Sequence, residues 1–233
     1  MAEPFSYAIF PLGDSAVTID LGNCVDELYN IRALALHDWL QAHRFPGIRD
    51  VVMAYSSVSV FFDPVVVQAS RVGELLVQAW RETAVSGRGQ AEGRTFRIPV
   101  CYEKEYAPDL EWVATQKGIS TADVAELHCA VVYRVYMVGF LPGFSYMGSV
   151  DERLEVPRKP LPVNVVAGGV GLTGRQTGIY PLNSPGGWQI IGRTPVKLFD
   201  AATDPPVRLQ PGDRVQFYPV SGAEFRELSG RPQ

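Results

Sequence analysis

Histidine and cysteine are scarce in this 233-residue chain, and no long apolar run occurs. The three cysteines, Cys24, Cys101 and Cys129, are scattered, and no CxxC or Cys/His pair has zinc spacing. They read as reduced thiols of a cytosolic protein, with no disulfide framework and no metal site. The longest apolar stretches, such as Val65–Val67, fall far short of the about 18 residues that cross a bilayer. The N-terminus MAEPFSYAIF has neither the basic nor the apolar region of a signal peptide. A cytoplasmic location with no membrane contact is therefore expected. With a formal net charge of −4 and no cluster of five Lys/Arg, the chain lacks the basic face of a nucleic-acid binder.

The usual catalytic signatures are missing too. No GxxxxGK[ST] occurs, so the chain carries no P-loop. Gly169–Gly174 fits GxGxxG, but the glycines and prolines that follow forbid the helix a dinucleotide site needs. Gly143–Met147 misses GxSxG because Met147 stands where glycine is required.

What is present divides into two halves. Residues 1–88 predict an α/β domain of order ββαββα, an antiparallel sheet with two helices on one face. Its strands are expected at 6–10, 16–21, 51–55 and 58–62. A helix over 26–43 carries the stripe Leu28, Ile31, Ala35 and Trp39 or Leu40. Pro64 is expected to open the second helix, with Val66, Ala69, Val72 or Gly73, Leu76 and Trp80 inward. The polar, glycine-rich segment 86–93 reads as a linker.

Residues 94–233 predict a strand over 95–102, helices over 109–117 and 121–128, and the β-rich run 131–138. Short strands between closely spaced glycines and prolines follow. That is the pattern of a β-barrel or sandwich, and 207–220 reads as a final hairpin. Residues 139–192 hold 11 of the 22 glycines, and Arg175 is the one charged residue from Pro160 to Gly192. So little charge suits a covered surface as well as tight barrel corners. His128 reads either as a helix C-terminal residue or as a proton donor or acceptor beside these loops. Arg175 and Arg193, isolated among uncharged neighbours, suit a carboxylate or phosphate clamp or a rim ion pair. Trp188 suits the core or an interface.

The string His128–Met147, HCAVVYRVYMVGFLPGFSYM, resembles the family once called allophanate hydrolase subunit 1, also known as the 5-oxoprolinase B subunit or sporulation-kinase inhibitor family. The blocks Val156–Lys159, Gln176–Pro181, Ser184–Pro195 and Leu209–Phe217 match it too. The resemblance covers essentially the whole chain, more loosely before Phe96. It implies an α+β fold, the N-terminal α/β domain being followed by a cyclophilin-like β-barrel. It also implies work with two partners, a homologous C subunit and an A subunit, the complex opening the lactam of 5-oxoproline to glutamate at the expense of ATP. The ATP site is then on this chain or on its partners. The alternative is a regulator that inhibits a sensor histidine kinase. A free-standing prolyl isomerase is suggested by the barrel analogy alone, with no active-site pattern behind it.

On this reading His128 and Arg175 are the catalytic candidates. Arg175, Gln176, Thr177 and Tyr180 line a cleft shared with the C subunit, and His128 and Tyr133 support it from behind. Phe140, Phe144, Tyr146, Trp188 and Arg193 complete a substrate or partner surface. One loop departs from the family pattern: over Pro162–Gly171 an arginine is absent, Val166 replaces proline and Gly169 replaces serine. An altered activity or substrate is the expected consequence.

Overall fold

A computed structural model describes residues 6–85 and 93–230. The chain divides into two compact units, residues 1–92 and 93–233. The segment read as a linker lies, Gly93 excepted, outside the described residues.

The first unit runs β1 (Ala8–Pro11), β2 (Ala16–Asp20), α1 (Glu27–Ala42), β3 (Ile48–Met53), β4 (Ser57–Phe62) and α2 (Ala69–Val85). The strands form an antiparallel sheet of order β1-β2-β4-β3. Alternation puts Val17, Ile19, Val58, Val60 and Phe62 on one face, in a single core with Leu36, Leu40, Leu76 and Trp80 of the helices. On the other face Thr18 and Ser59 join their hydroxyls at 2.7 Å.

Two local expectations are corrected here. The buried face of α1 is Asn30, Ala33, Leu36 and Leu40, while Leu28 is 63% exposed. Apolar residues lie on nearly every side of this helix, so spacing alone leaves its phase open and the sheet selects it. Asn30 can be interior because its amide donates to the Tyr55 carbonyl at 3.0 Å. Pro64 opens a turn, not a helix. The Asp63 carboxylate accepts from Val65 N–H and its carbonyl accepts from Val66 and Val67, so the chain folds back before α2 begins. Val66 and Ala69 are consequently exposed, and the buried stripe is Val72, Leu75, Leu76, Ala79 and Trp80.

The second unit begins with β5 (Thr95–Cys101), α3 (Leu110–Lys117), α4 (Thr121–Cys129), β6 (Val132–Val138) and β7 (Ser145–Gly148). A 3-10 turn at Glu152–Leu154 precedes β8 (Val163–Val165), β9 (Gly169–Thr173), β10 (Gln176–Ile179), β11 (Ser184–Gly186), β12 (Gln189–Arg193), β13 (Arg214–Val220) and α5 (Gly222–Ser229). Seven strands close a barrel in the order β10-β7-β6-β13-β5-β12-β9, and β8 and β11 form a separate ribbon. Gly118, left-handed at φ 67°, ends α3, and a capping box between Ser120 and Asp123 opens α4. The barrel core (Ile98, Val100, Val135, Met147, Leu172, Ile179, Phe217) is continuous with Leu110, Val113 and Val124 of α3 and α4.

The final hairpin does not form. Val207 makes an isolated bridge to Phe199, and β13 lies parallel to β5 from Arg214↔Thr95 to Val220↔Cys101. Asp213 causes this. Its carboxylate accepts from the backbone N–H groups of Arg94 and Gln210, which starts β13 alongside β5 across 119 residues of sequence. Helix α5 was not anticipated, although Ser221 and Glu224 form a full capping box visible as an S-x-x-E pattern.

Candidate functional site

His128, near the end of α4, is fully buried and stacks on Phe217 at 4.6 Å. Burial pushes its imidazole down to about 3, so the ring is neutral at physiological pH. Its hydrogen bonds then have one consistent set of directions. The Thr177 hydroxyl donates to the Gly171 carbonyl at 3.1 Å, so Thr177 Oγ1 accepts from His128 Nε2–H at 2.9 Å. Nδ1 is left as the acceptor for Tyr102 O–H at 2.7 Å, and the Cys129 thiol donates to the Tyr102 oxygen at 3.4 Å. Tyr133, also buried, donates its O–H to the His128 carbonyl at 2.9 Å. This chain of bonds ties α4 to β9 and β10. A charged C-terminal cap role for His128 does not fit a neutral ring.

On strand β10, Ile179 joins the barrel core and Thr177 is fully buried, while Gly178 sits beneath an aromatic cluster. Phe144 packs edge-to-face on Tyr146 (4.7 Å), Tyr180 (4.9 Å) and Trp188 (5.4 Å). Gly178 and its cross-strand partner Gly171 provide the flat wall on which Trp188 rests. Phe140, 64% exposed and at φ 69°, packs edge-to-face on Phe144 from the solvent side. Positive φ is costly for a bulky side chain, so the Gly139–Gly143 loop holds this ring outward against its backbone preference.

Arg175 lies elsewhere, exposed in the turn between β9 and β10. Its carbonyl accepts from Val150 N–H, and its charge is the smallest of the influences that hold Asp151 down to about 2, behind the hydrogen bonds from Arg153. Gln176 is half-buried beside Gly148 in the ladder. The geometry therefore does not gather Arg175, Thr177 and Tyr180 onto one cleft. Thr177 and Tyr180 are buried, whereas the turn before β10 leaves Arg175 exposed.

A cleft of 360 Å³ does open nearby, between the β8–β11 ribbon, β12 and the start of α3. Val165 and Ile190 form apolar wall, Asp109 and Lys159 lie on one side, and Arg193 and Asn164 also line it. Asp109 and Lys159 form a mostly buried ion pair at 2.5 Å, and the same Asp109 oxygen accepts from Ile190 N–H at 2.6 Å. Arg193 is held from behind, with Nε donating to the Ala167 carbonyl at 2.8 Å and the guanidinium 5.7 Å above the Phe225 ring. Ala167 N–H in turn donates to Asn183 Oδ1. Val166 and Gly169, two of the departures from the family pattern, line this cleft. Sequence reasoning found Arg193 but not Asp109 or Lys159, which pair across 50 residues and share no local pattern.

Among the described residues no group of His, Cys, Asp and Glu could hold a metal ion, and no helix is long and apolar enough to cross a membrane. The GxGxxG string is strand β9 running into a turn, and Ser145 is buried with its hydroxyl on the Gly143 carbonyl.

Residues 7–209 match the family described as carboxyltransferase domain, subdomain C and D. The chain is 37% identical to the 5-oxoprolinase B subunit of Bacillus subtilis (strain 168) over 228 residues, covering 94% of this chain and 95% of that one. It is 39% identical to the 5-oxoprolinase B subunit of Escherichia coli O157:H7, covering 89% and 94% of the two chains. Among solved structures, TTHA0988 superposes with a TM-score of 0.77 at 38% identity; the match spans 89% of this chain and 40% of that longer one. The family match over residues 7–209, with relatives aligned over nearly the whole of both chains, makes the chain a member of the carboxyltransferase subdomain C and D family, in the branch that holds the 5-oxoprolinase B subunits.

Proposed function

We propose that this chain is the B subunit of an ATP-dependent 5-oxoprolinase and works in a complex with the A and C subunits of that enzyme. One observation carries the reading: the relation to 5-oxoprolinase B subunits extends over nearly the whole of both chains. The same relatives favour an enzyme component over a regulator of a histidine kinase. Transfer of the γ-phosphoryl group of ATP to the lactam oxygen, with ADP leaving, would open the ring carbon to attack by water; loss of phosphate and cleavage of the ring C–N bond then give glutamate. The exposed apolar residues Leu161, Val163 and Val166 around the cleft, with Phe140, suit a surface covered by a partner protein. Membership in a complex is tested by copurification. This chain co-eluting with its A and C subunits as one species supports the reading. Elution as a separate species at micromolar concentrations contradicts it.

A further inference from the structure

The cleft beside β12 has the size and lining of a small-molecule site, apolar walls with a few fixed polar groups. Its charges are unequal in their pairing. Asp109 is neutralised by Lys159 and held by Ile190 N–H, so this pair is internally satisfied. Arg193 forms no ion pair among the described residues; Glu105, also on the lining, stands beyond ion-pair distance from it. Nε of Arg193 donates to the Ala167 carbonyl and the guanidinium face lies 5.7 Å from the Phe225 ring, which together fix its plane and leave the Nη donors for a ligand. A half-buried cation held in one orientation, unneutralised and lining an apolar cleft, is suited to two parallel hydrogen bonds with a carboxylate. Asn164, an exposed residue of β8, is also on the cleft lining, and its side chain carries an acceptor and a donor, the complement of an amide C=O and N–H.

We propose that this cleft binds a small carboxylate-bearing amide, with Arg193 clamping the carboxylate and Asn164 facing the amide. Resting on the 5-oxoprolinase reading, the ligand is 5-oxoproline itself. Arg193 is then the residue that separates it from a lactam without a carboxylate. The apolar walls of Val165 and Ile190 suit the ring carbons and offer nothing to a polyphosphate.

The test is an NMR titration of the isotope-labelled full chain, alone and assembled with its partner proteins. The probes are L-5-oxoproline, 2-pyrrolidone and inorganic phosphate. The expected result is a set of shifts centred on Asn164, Gly169 and Ile190 with 5-oxoproline, and at least ten-fold weaker binding of 2-pyrrolidone. Arg193→Met should remove that preference, and Arg193→Lys, which keeps the charge but loses the fork, should weaken 5-oxoproline at least ten-fold. If Arg193→Met does not fold, the wild-type preference between the two lactams decides. Shifts elsewhere, no shifts at saturating ligand in either form, equal affinity for both lactams, or the same shifts from phosphate alone would overturn the assignment. Turnover separates this subsite from the function it rests on. Binding in the cleft without 5-oxoproline hydrolysis by the complex sinks the oxoprolinase reading alone. Hydrolysis with a KM unmoved in Arg193→Met sinks the subsite alone.

Discussion

His128 Nε2 and Thr177 Oγ1 stand 2.9 Å apart with both side chains fully buried, so the link between α4 and β10 has no competing water. Thr177→Val keeps the shape and removes the acceptor, leaving the buried imidazole N–H unpaired, while Gly171 stays in the β9–β10 ladder opposite Gly178. A loss of about 1–3 kcal/mol is expected in urea unfolding. Thr177→Ser should recover most of it.

The same histidine makes stability depend on pH. Its pKa falls from the ordinary 6.5 to about 3 on folding, so between these values the unfolded chain binds the extra proton. Its contribution is complete above pH 6.5 and is lost progressively as pH falls toward 3. The loss relative to neutral pH is about 2 kcal/mol at pH 5. Carboxylates such as Asp151 also favour the folded state less on acidification, so the measurement is a difference. Urea midpoints of the wild type and His128→Gln should converge as pH falls from 7 to 4. Parallel curves would show that His128 is not buried neutral.

Gly178 has no room for a side chain. A β-carbon there would lie 2.9 Å from the Ser145 carbonyl oxygen and 3.0 Å from Trp188 Cζ3. Gly178→Ala should cost about 1–3 kcal/mol and shift the tryptophan emission as Trp188 is lifted from the wall. Unchanged emission and stability would mean that the ring does not rest there.

Ser221 caps α5 through Glu224 N–H, and Glu224 returns the bond to Ser221 N–H. Ser221→Ala should cost about 1 kcal/mol, with Ser221→Asp close to neutral, in thermal or urea unfolding. Equal stability of all three would show that α5 contributes nothing to the fold.

The parts of this molecule legible in its sequence are those set by neighbours along the chain. Ser120 with Asp123, Gly118 and the alternation of Val58, Val60 and Phe62 all declare themselves within a few residues. What stayed hidden depends on distance. The parallel pairing of β13 with β5 rests on Asp213 reaching Arg94, and the phase of α1 is chosen by the sheet. The site followed the same division. Arg193 stood out against an uncharged background, whereas the Asp109–Lys159 pair forms only when β12 brings Ile190 beside α3. Thr177 and Tyr180, in one sequence block with Arg175, part company with it because the folded barrel buries both of them while the turn before β10 leaves Arg175 exposed.

The proposed B-subunit role makes this chain an indispensable part of a lactam-opening enzyme. The most direct measurement of that role is ATP-dependent glutamate release from 5-oxoproline, with the chain added to or omitted from its candidate A and C subunits. Release is expected with all three present and none when this chain is left out. Equal release without it, or no release from a complex shown to assemble, would contradict that role.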